Sequence, residues 1–146
     1  MRRDLELLLV EDNPNDAQFS LEALWREFAP GRTVHLEDGA AALDLIFGEG
    51  GIAAGGCAAL RLVVLDLKLP KLDGIDVLRR LKQDERTRGI PVVMLTSSKE
   101  ARDVAACYAA GANSYLVKPV AYEEYLKTVS EAARYWARLN VPPVHA

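Results

Sequence analysis

The side chains best placed to do chemistry stand at the ends of apolar runs. Leu62-Val63-Val64-Leu65 leads into Asp66, and Leu67-Lys68-Leu69-Pro70 follows. A short run this rich in Val and Leu reads as a strand buried on both faces, with Asp66 at its C-terminal end. In open α/β sheets, ligands bind in the crevice outside the carboxyl ends of the strands. An aspartate there by itself often only caps the next turn. Here other runs end the same way: Leu5 to Val10 in Glu11-Asp12, Val92 to Leu95 in Thr96, and Ser114 to Val117 in Lys118. Three carboxylates in one crevice repel, and each then favours a proton over its charge. A divalent cation removes the conflict, and oxygen-only ligands favour Mg²⁺ with waters in the remaining positions. A carboxylate beside such a cation, balanced by a lysine, suits phosphoryl transfer onto an aspartate.

The elements that must position these groups alternate along the chain. Strand one is Leu5–Val10. Asn13 and Pro14 suit the N-cap and first position of helix one. That helix carries Ala17, Leu21, Leu24 and Phe28 inward, with Trp25 widening the stripe toward the core. Strand two is Thr33–Leu36, and helix two runs from Ala40 to Phe47. Residues 48–60 are a Gly/Ala-rich loop with no Gly-Lys-Ser/Thr ending, so a P-loop is excluded. Asp73-Gly74 opens helix three with Ile75, Leu78 and Leu81 on one face. Ser97-Ser98-Lys99-Glu100 matches a capping box for helix four, which stops at Gly111. Strand five is followed by helix five, about Ala121 to Leu139. Five strands alternating with five helices predict an α/β fold: a flavodoxin-like, doubly wound parallel sheet in the order 2-1-3-4-5.

Composition excludes several function classes. The 146 residues fit one domain. A net charge of −3 gives no electrostatic reason to expect nucleic acid. No apolar run approaches a membrane span, and Arg2-Arg3-Asp4 does not open a signal peptide. The expectation is a cytoplasmic protein with no membrane partner. Cys57 and Cys107 form no paired motif and read as buried or incidental thiols. His145 falls in a tail after Pro142-Pro143, so the two histidines build no catalytic triad or zinc site.

Glu11-Asp12, Asp66, Thr96 and Lys118-Pro119, in this order and spacing, resemble the receiver domain of two-component response regulators. The likeness covers about residues 4–139, with residues 1–140 as the domain and 141–146 as a tail. It implies that Asp66 takes a phosphoryl group from a histidine kinase. It implies Mg²⁺ bound directly by Asp12, through water by Glu11, and by Asp66 and the Lys68 backbone carbonyl. Lys68 stands where many receivers have Asn, which bears on the dephosphorylation rate. Thr96 would bond the phosphoryl group, Tyr115 would turn inward as a switch, and Lys118 would pair with Asp66 and then with phosphate. The Lys118–Pro119 bond would be cis. Leu95-Thr96-Ser97-Ser98-Lys99-Glu100, the run Gly111–Val120, and Tyr135-Trp136 before Asn140 are similar to stand-alone receivers serving phytochrome kinases, a group that often forms homodimers.

The chain is read as a signalling phosphoacceptor and not an enzyme beyond its own phosphorylation and dephosphorylation. Tyr122, Leu126, Val129, Ala133 and Trp136 make one stripe on helix five; Ala132, Tyr135 and Leu139 make a second. One can face the sheet, leaving the other partly exposed, and a homodimer surface is expected on helix five and the tail with neighbouring strand-five and helix-four surface, including Tyr135, Trp136 and Leu139. A dehalogenase-type phosphatase would need an acid where Lys68 stands. An FMN carrier would hold its phosphate where Glu11-Asp12 repel it. A non-phosphorylated pseudo-receiver is the remaining alternative, although such modules typically lose the aspartate, the acidic pair or the lysine.

Overall fold

The computed structural model describes residues 4–55 and 59–143. Cys57 and His145 lie outside the described residues. Five parallel strands, β1 (Leu7–Val10), β2 (Thr33–Leu36), β3 (Leu62–Leu65), β4 (Val92–Thr96) and β5 (Ser114–Val117), form one sheet in the order β2-β1-β3-β4-β5. The register pairs Leu7 with both Thr33 and Leu62, so the ends of β1, β2 and β3 are level.

The main helices are α1 (Pro14–Leu24), α2 (Gly39–Phe47), α3 (Gly74–Gln83), α4 (Ala101–Ala109) and α5 (Tyr122–Arg134). Alternate strand residues point to opposite faces, and two cores result. Leu8, Val10, Val63, Leu65, Val92 and Met94 pack with Ile46, Leu78, Leu81 and Cys107. Leu7, Leu9, Leu62, Val64, Val93 and Leu95 pack with Leu24, Phe28, Tyr125 and Val129. The three inner strands are buried on both faces, which is why their sequences are continuous apolar runs instead of alternating ones.

Local chemistry sets the boundaries. Asn13 Oδ1 accepts from the N–H groups of Asn15 and Asp16 and starts α1. Asp38 Oδ1 accepts from Ala41 N–H and starts α2. Gly111, at φ +105°, ends the α4 segment, as only glycine does without strain. Gly74 has no room for a side chain: a Cβ there would lie 2.0 Å from the Asp66 carbonyl oxygen.

Several expectations need correction. Helix one ends at Leu24, and Phe28 reaches the core from the turn beyond it. Trp25 is not core: it is 42% exposed, because its indole N–H leaves the apolar face to donate to Thr33 Oγ1. The loop 48–60 holds a single helical turn, Ile52–Gly55, whose Ile52 and Ala53 are buried. The capping box does not form on Ser97. Glu100 is still extended, so the helix begins only at Ala101, and Ser98 takes over, donating its hydroxyl to Asp103 and accepting from Glu100 N–H. Helix five continues past Arg134 as a π-turn over Tyr135–Leu139, closed by Asn140 N–H on the Tyr135 carbonyl.

Candidate functional site

The sheet ladder carries each strand one residue further and so fixes the residues just past it. Glu11 N–H donates to Leu36 O, Asp66 N–H to Val10 O, and Lys118 N–H to Thr96 O. These bonds set Glu11, Asp66 and Lys118 along one edge of the sheet. Ligand oxygens of Glu11, Asp12 and Asp66 fall within 4.8 Å of one another.

Lys118 closes the group. Its Nζ lies 2.7 Å from Asp66 Oδ2, 2.6 Å from Glu11 Oε1 and 2.9 Å from Asp16 Oδ2. An ammonium has three N–H donors, and three carboxylates take them. Burial works against its charge, but hydrogen bonds to Asp66, Glu11 and Asp16 outweigh that and hold the ammonium well above the usual lysine range. Glu11 is 1% exposed. Burial pushes its carboxyl up to about 7, with Asp66 adding to the rise and Lys118 opposing it.

Three carboxylates on one ammonium, with Asp12 beside them, leave negative charge in excess, so the donor set fits a hard divalent cation. The oxygens are not equally available. Glu11 Oε1 is taken by Lys118, and Oε2 accepts from Asn13 N–H at 3.1 Å. Asp12 is exposed at the mouth of the site.

Thr96 is buried at the end of β4, where its Oγ1 accepts from Ser98 N–H. Asp66, Lys68 and Thr96 line one open cleft together with Ser98, Lys99 and Arg102. Lys68 points its side chain to solvent, while its N–H makes a long 3.4 Å contact with Asp66 Oδ1. Tyr115 is half-buried and donates its hydroxyl to the Ser98 carbonyl at 2.8 Å. The Lys118–Pro119 bond is trans, against expectation, as is every peptide bond among the described residues. Trans is the intrinsic preference of an X–Pro bond by about 0.5–1 kcal/mol, and Lys118 meets its three carboxylates in that form.

Sequence reasoning did not single out Asp16 and missed it here. The signal was available: it lies one turn beyond the acidic pair, on a helix that begins where β1 ends. Tyr125 was also missed. Its hydroxyl meets Ser20 Oγ at 2.8 Å and the Asp16 carbonyl at 3.3 Å, which ties α5 to α1 beside the site. Of the proposed surface residues, Tyr135 (48%) and Leu139 (62%) are exposed. Trp136 is half-buried and packs toward the α1–α5 core.

Comparison with known proteins bears on this arrangement. Residues 7–130 match the family described as response regulator receiver domain. The chain is 44% identical over 137 residues to the probable methanogenesis regulatory protein FilR2 of Methanothrix harundinacea (strain 6Ac), covering 94% of this chain and 86% of that protein. It is 35% identical over 130 residues to response regulator Rcp1 of Synechocystis sp. (strain ATCC 27184 / PCC 6803 / Kazusa), covering 89% and 87%. A crystal structure of the Mn²⁺-bound form of Rcp1 has a TM-score of 0.83 at 33% identity, covering 96% of this chain and 99% of that one. The phosphorylated cyanobacterial phytochrome response regulator RcpA has a TM-score of 0.86 at 31% identity, covering 96% and 99%.

Proposed function

This chain belongs to the response regulator receiver domain family, and we propose that it is a single-domain response regulator whose Asp66 accepts a phosphoryl group from a sensor histidine kinase. One observation carries the reading: Asp66 sits at the end of β3 between the acidic pair and Lys118, whose Nζ is 2.7 Å away. In the transfer, an Asp66 oxygen attacks phosphorus and forms the O–P bond. The N–P bond of the donor phosphohistidine breaks, and the imidazole nitrogen keeps its electron pair. Lys118 exchanges its bond to Asp66 for one to a phosphoryl oxygen, and Thr96, at the end of the strand between β3 and β5, supplies a hydroxyl. Water later attacks phosphorus, releasing inorganic phosphate and restoring the carboxylate.

Glu11, Asp12, Asp66 and the Lys68 carbonyl would hold Mg²⁺. Because both Glu11 oxygens already have protein donors, Asp12 is the more available direct ligand. Bound there, the cation supplies neutralisation of phosphoryl-oxygen charge. The pseudo-receiver alternative is not favoured, since the acidic pair, the aspartate and the lysine are all present, with Lys118 on Glu11 and Asp66 and the Asp12 carboxylate within 4.8 Å of theirs.

The likeness to Rcp1 and RcpA supports a phytochrome-type kinase as the donor. The exposed Tyr135 and Leu139 support a homodimer through the end of α5, with residues 1–140 as the receiver and 141–146 as a tail. Phosphorylation would favour one arrangement of this surface by its differential affinity for two states.

The test is incubation with acetyl phosphate and Mg²⁺, read by intact mass. A gain of one phosphate, stable to acid, labile to base and absent from Asp66→Asn, is expected. No gain from acetyl phosphate or from a panel of phytochrome and other histidine kinases would remove the proposal.

A further inference from the structure

The Lys118 ammonium has a third carboxylate partner that is neither the acceptor nor one of the acidic pair. Asp16 Oδ2 lies 2.9 Å from Nζ, with the Asp16 side chain 27% exposed and that of Lys118 7%. The two ends of this contact differ in how firmly they are held. The Lys118 backbone is held by its N–H on Thr96 O, but the connection beyond it is open, with Val120 fully exposed, so the long lysine side chain relies on its partners for its position. Asp16 sits in the first turn of α1, which is fastened to α5 along its length. Ser20 meets Tyr125, Glu22 accepts from Tyr122, Arg26 donates to Ser130, and Phe19 packs edge-on against Tyr122 and Tyr125.

Accepting a phosphoryl group places two demands on Lys118. It must release Asp66 Oδ2, and it must stay close enough to bond the incoming oxygens. With all three donors in use, only one can turn to the phosphoryl group if the ammonium is to remain in place. Glu11 and Asp16 keep the other two. Glu11 belongs to the 4.8 Å carboxylate cluster that would hold the cation, whereas Asp16 comes from α1 and lies outside it.

The geometry points to Asp16 as a positioning residue for the phosphoryl transfer, anchoring the Lys118 ammonium on a fixed helix while its bond to Asp66 is exchanged for one to phosphate. This inference rests on the function proposed above. The role needs an acceptor oxygen at Asp16, not its charge. Misplacing a group by about 1 Å costs up to about a hundredfold in rate.

Phosphorylation rates across a range of acetyl phosphate concentrations at saturating Mg²⁺ test this in wild type, Asp16→Ala and Asp16→Asn, with melting curves as a check on folding. The expected result is a maximal rate reduced about tenfold or more in Asp16→Ala, unchanged half-saturation, and a rate near wild type in Asp16→Asn. An Asp16→Ala protein as fast as wild type overturns the inference. So do equal slowing in both variants or a faster rate in both, each of which assigns Asp16 an effect through charge alone. The ¹⁵N-resolved signal of the Lys118 ammonium gives a second readout that needs no phosphate. Its protons should exchange slowly in wild type and Asp16→Asn, and faster in Asp16→Ala. If wild type takes no phosphate from any donor, the function falls, and the ammonium signal still decides whether Asp16 anchors Lys118.

Discussion

Lys118, just past β5, reaches across the end of β4 to place Nζ 2.7 Å from Asp66 Oδ2, just past β3. The contact joins residues 52 apart in sequence. Replacing Lys118 by Ala leaves Glu11, Asp16 and Asp66 without their shared counterion. Breaking a buried ion pair from one side costs about 3–5 kcal/mol, and loss of one aimed donor slows chemistry about a hundredfold or more. Lys118→Ala should therefore melt well below wild type in EDTA, regain part of that loss with Mg²⁺, and phosphorylate at most at about one-hundredth the rate. Calorimetry with and without Mg²⁺, beside the intact-mass assay, checks both effects.

Glu11 makes metal-free stability depend on pH. Its carboxyl is pushed from 4.5 up to about 7, first by burial. Between these values the folded protein keeps a proton that the unfolded chain has released. Stability must then fall as pH rises through this window and level off above it, by on the order of 3 kcal/mol. Mg²⁺ favours the ionised carboxylates, so it should stabilise more at pH 8 than at pH 5. Melting temperatures from pH 5 to 8, in EDTA and in Mg²⁺, measure this. Glu11→Gln should flatten the EDTA profile, and an unchanged slope in that variant would contradict the assignment.

Gly74 controls where the acceptor's backbone lies. A Cβ there would meet the Asp66 carbonyl oxygen at 2.0 Å, with the Asp66 carbonyl carbon and Leu67 Cα at 2.9 Å. All three are backbone atoms, so no side-chain rotation relieves the overlap. Gly74→Ala should cost roughly 1–3 kcal/mol and displace Asp66 enough to slow phosphorylation even where the variant is fully folded. Gly31, with nothing within 4 Å of its Cβ position, serves as the control: Gly31→Ala should leave the rate unchanged.

What could be read from the chain follows from how locally each feature is encoded. Strand-end Glu11, Asp66, Thr96 and Lys118 were legible because apolar runs mark strands, and alternation with helices fixes which ends meet. Asp16 was not, because its role arises only when β5 folds back and delivers Lys118 to α1, 102 residues away. Trp25 was misread because helical spacing places it beside Leu21 and Leu24, but does not show that helix α1 stops at Leu24. Ser98 took the place of Ser97 for a similar reason: the capping pattern fixes a spacing, not the residue at which the backbone turns helical. The π-turn at Tyr135–Leu139 has no marker of its own and shows only in the Asn140-to-Tyr135 bond.

That π-turn shapes the surface proposed for self-association. Tyr135 packs edge-on against Trp136, with ring centroids 4.9 Å apart. Trp136 turns toward the α1–α5 core, leaving Tyr135 and Leu139 outward. Beside them a cleft is lined by Leu116, Ala132, Tyr135 and Trp136, so the apolar surface continues from the end of α5 onto β5. Leu139→Asp puts a charge where a partner copy would have to exclude water, and Leu139, in the turn beyond α5, is not part of the carboxylate cluster around Asp66. A loss of roughly 1.4 kcal/mol or more would weaken dimerisation at least about tenfold while leaving the phosphorylation rate unchanged. Sedimentation in beryllofluoride and Mg²⁺ should show wild type as a dimer and Leu139→Asp shifted to monomer at the same concentration. A wild type that sediments as monomer under those conditions would exclude this surface as a self-association site, and the phosphoacceptor chemistry would stand independently of it.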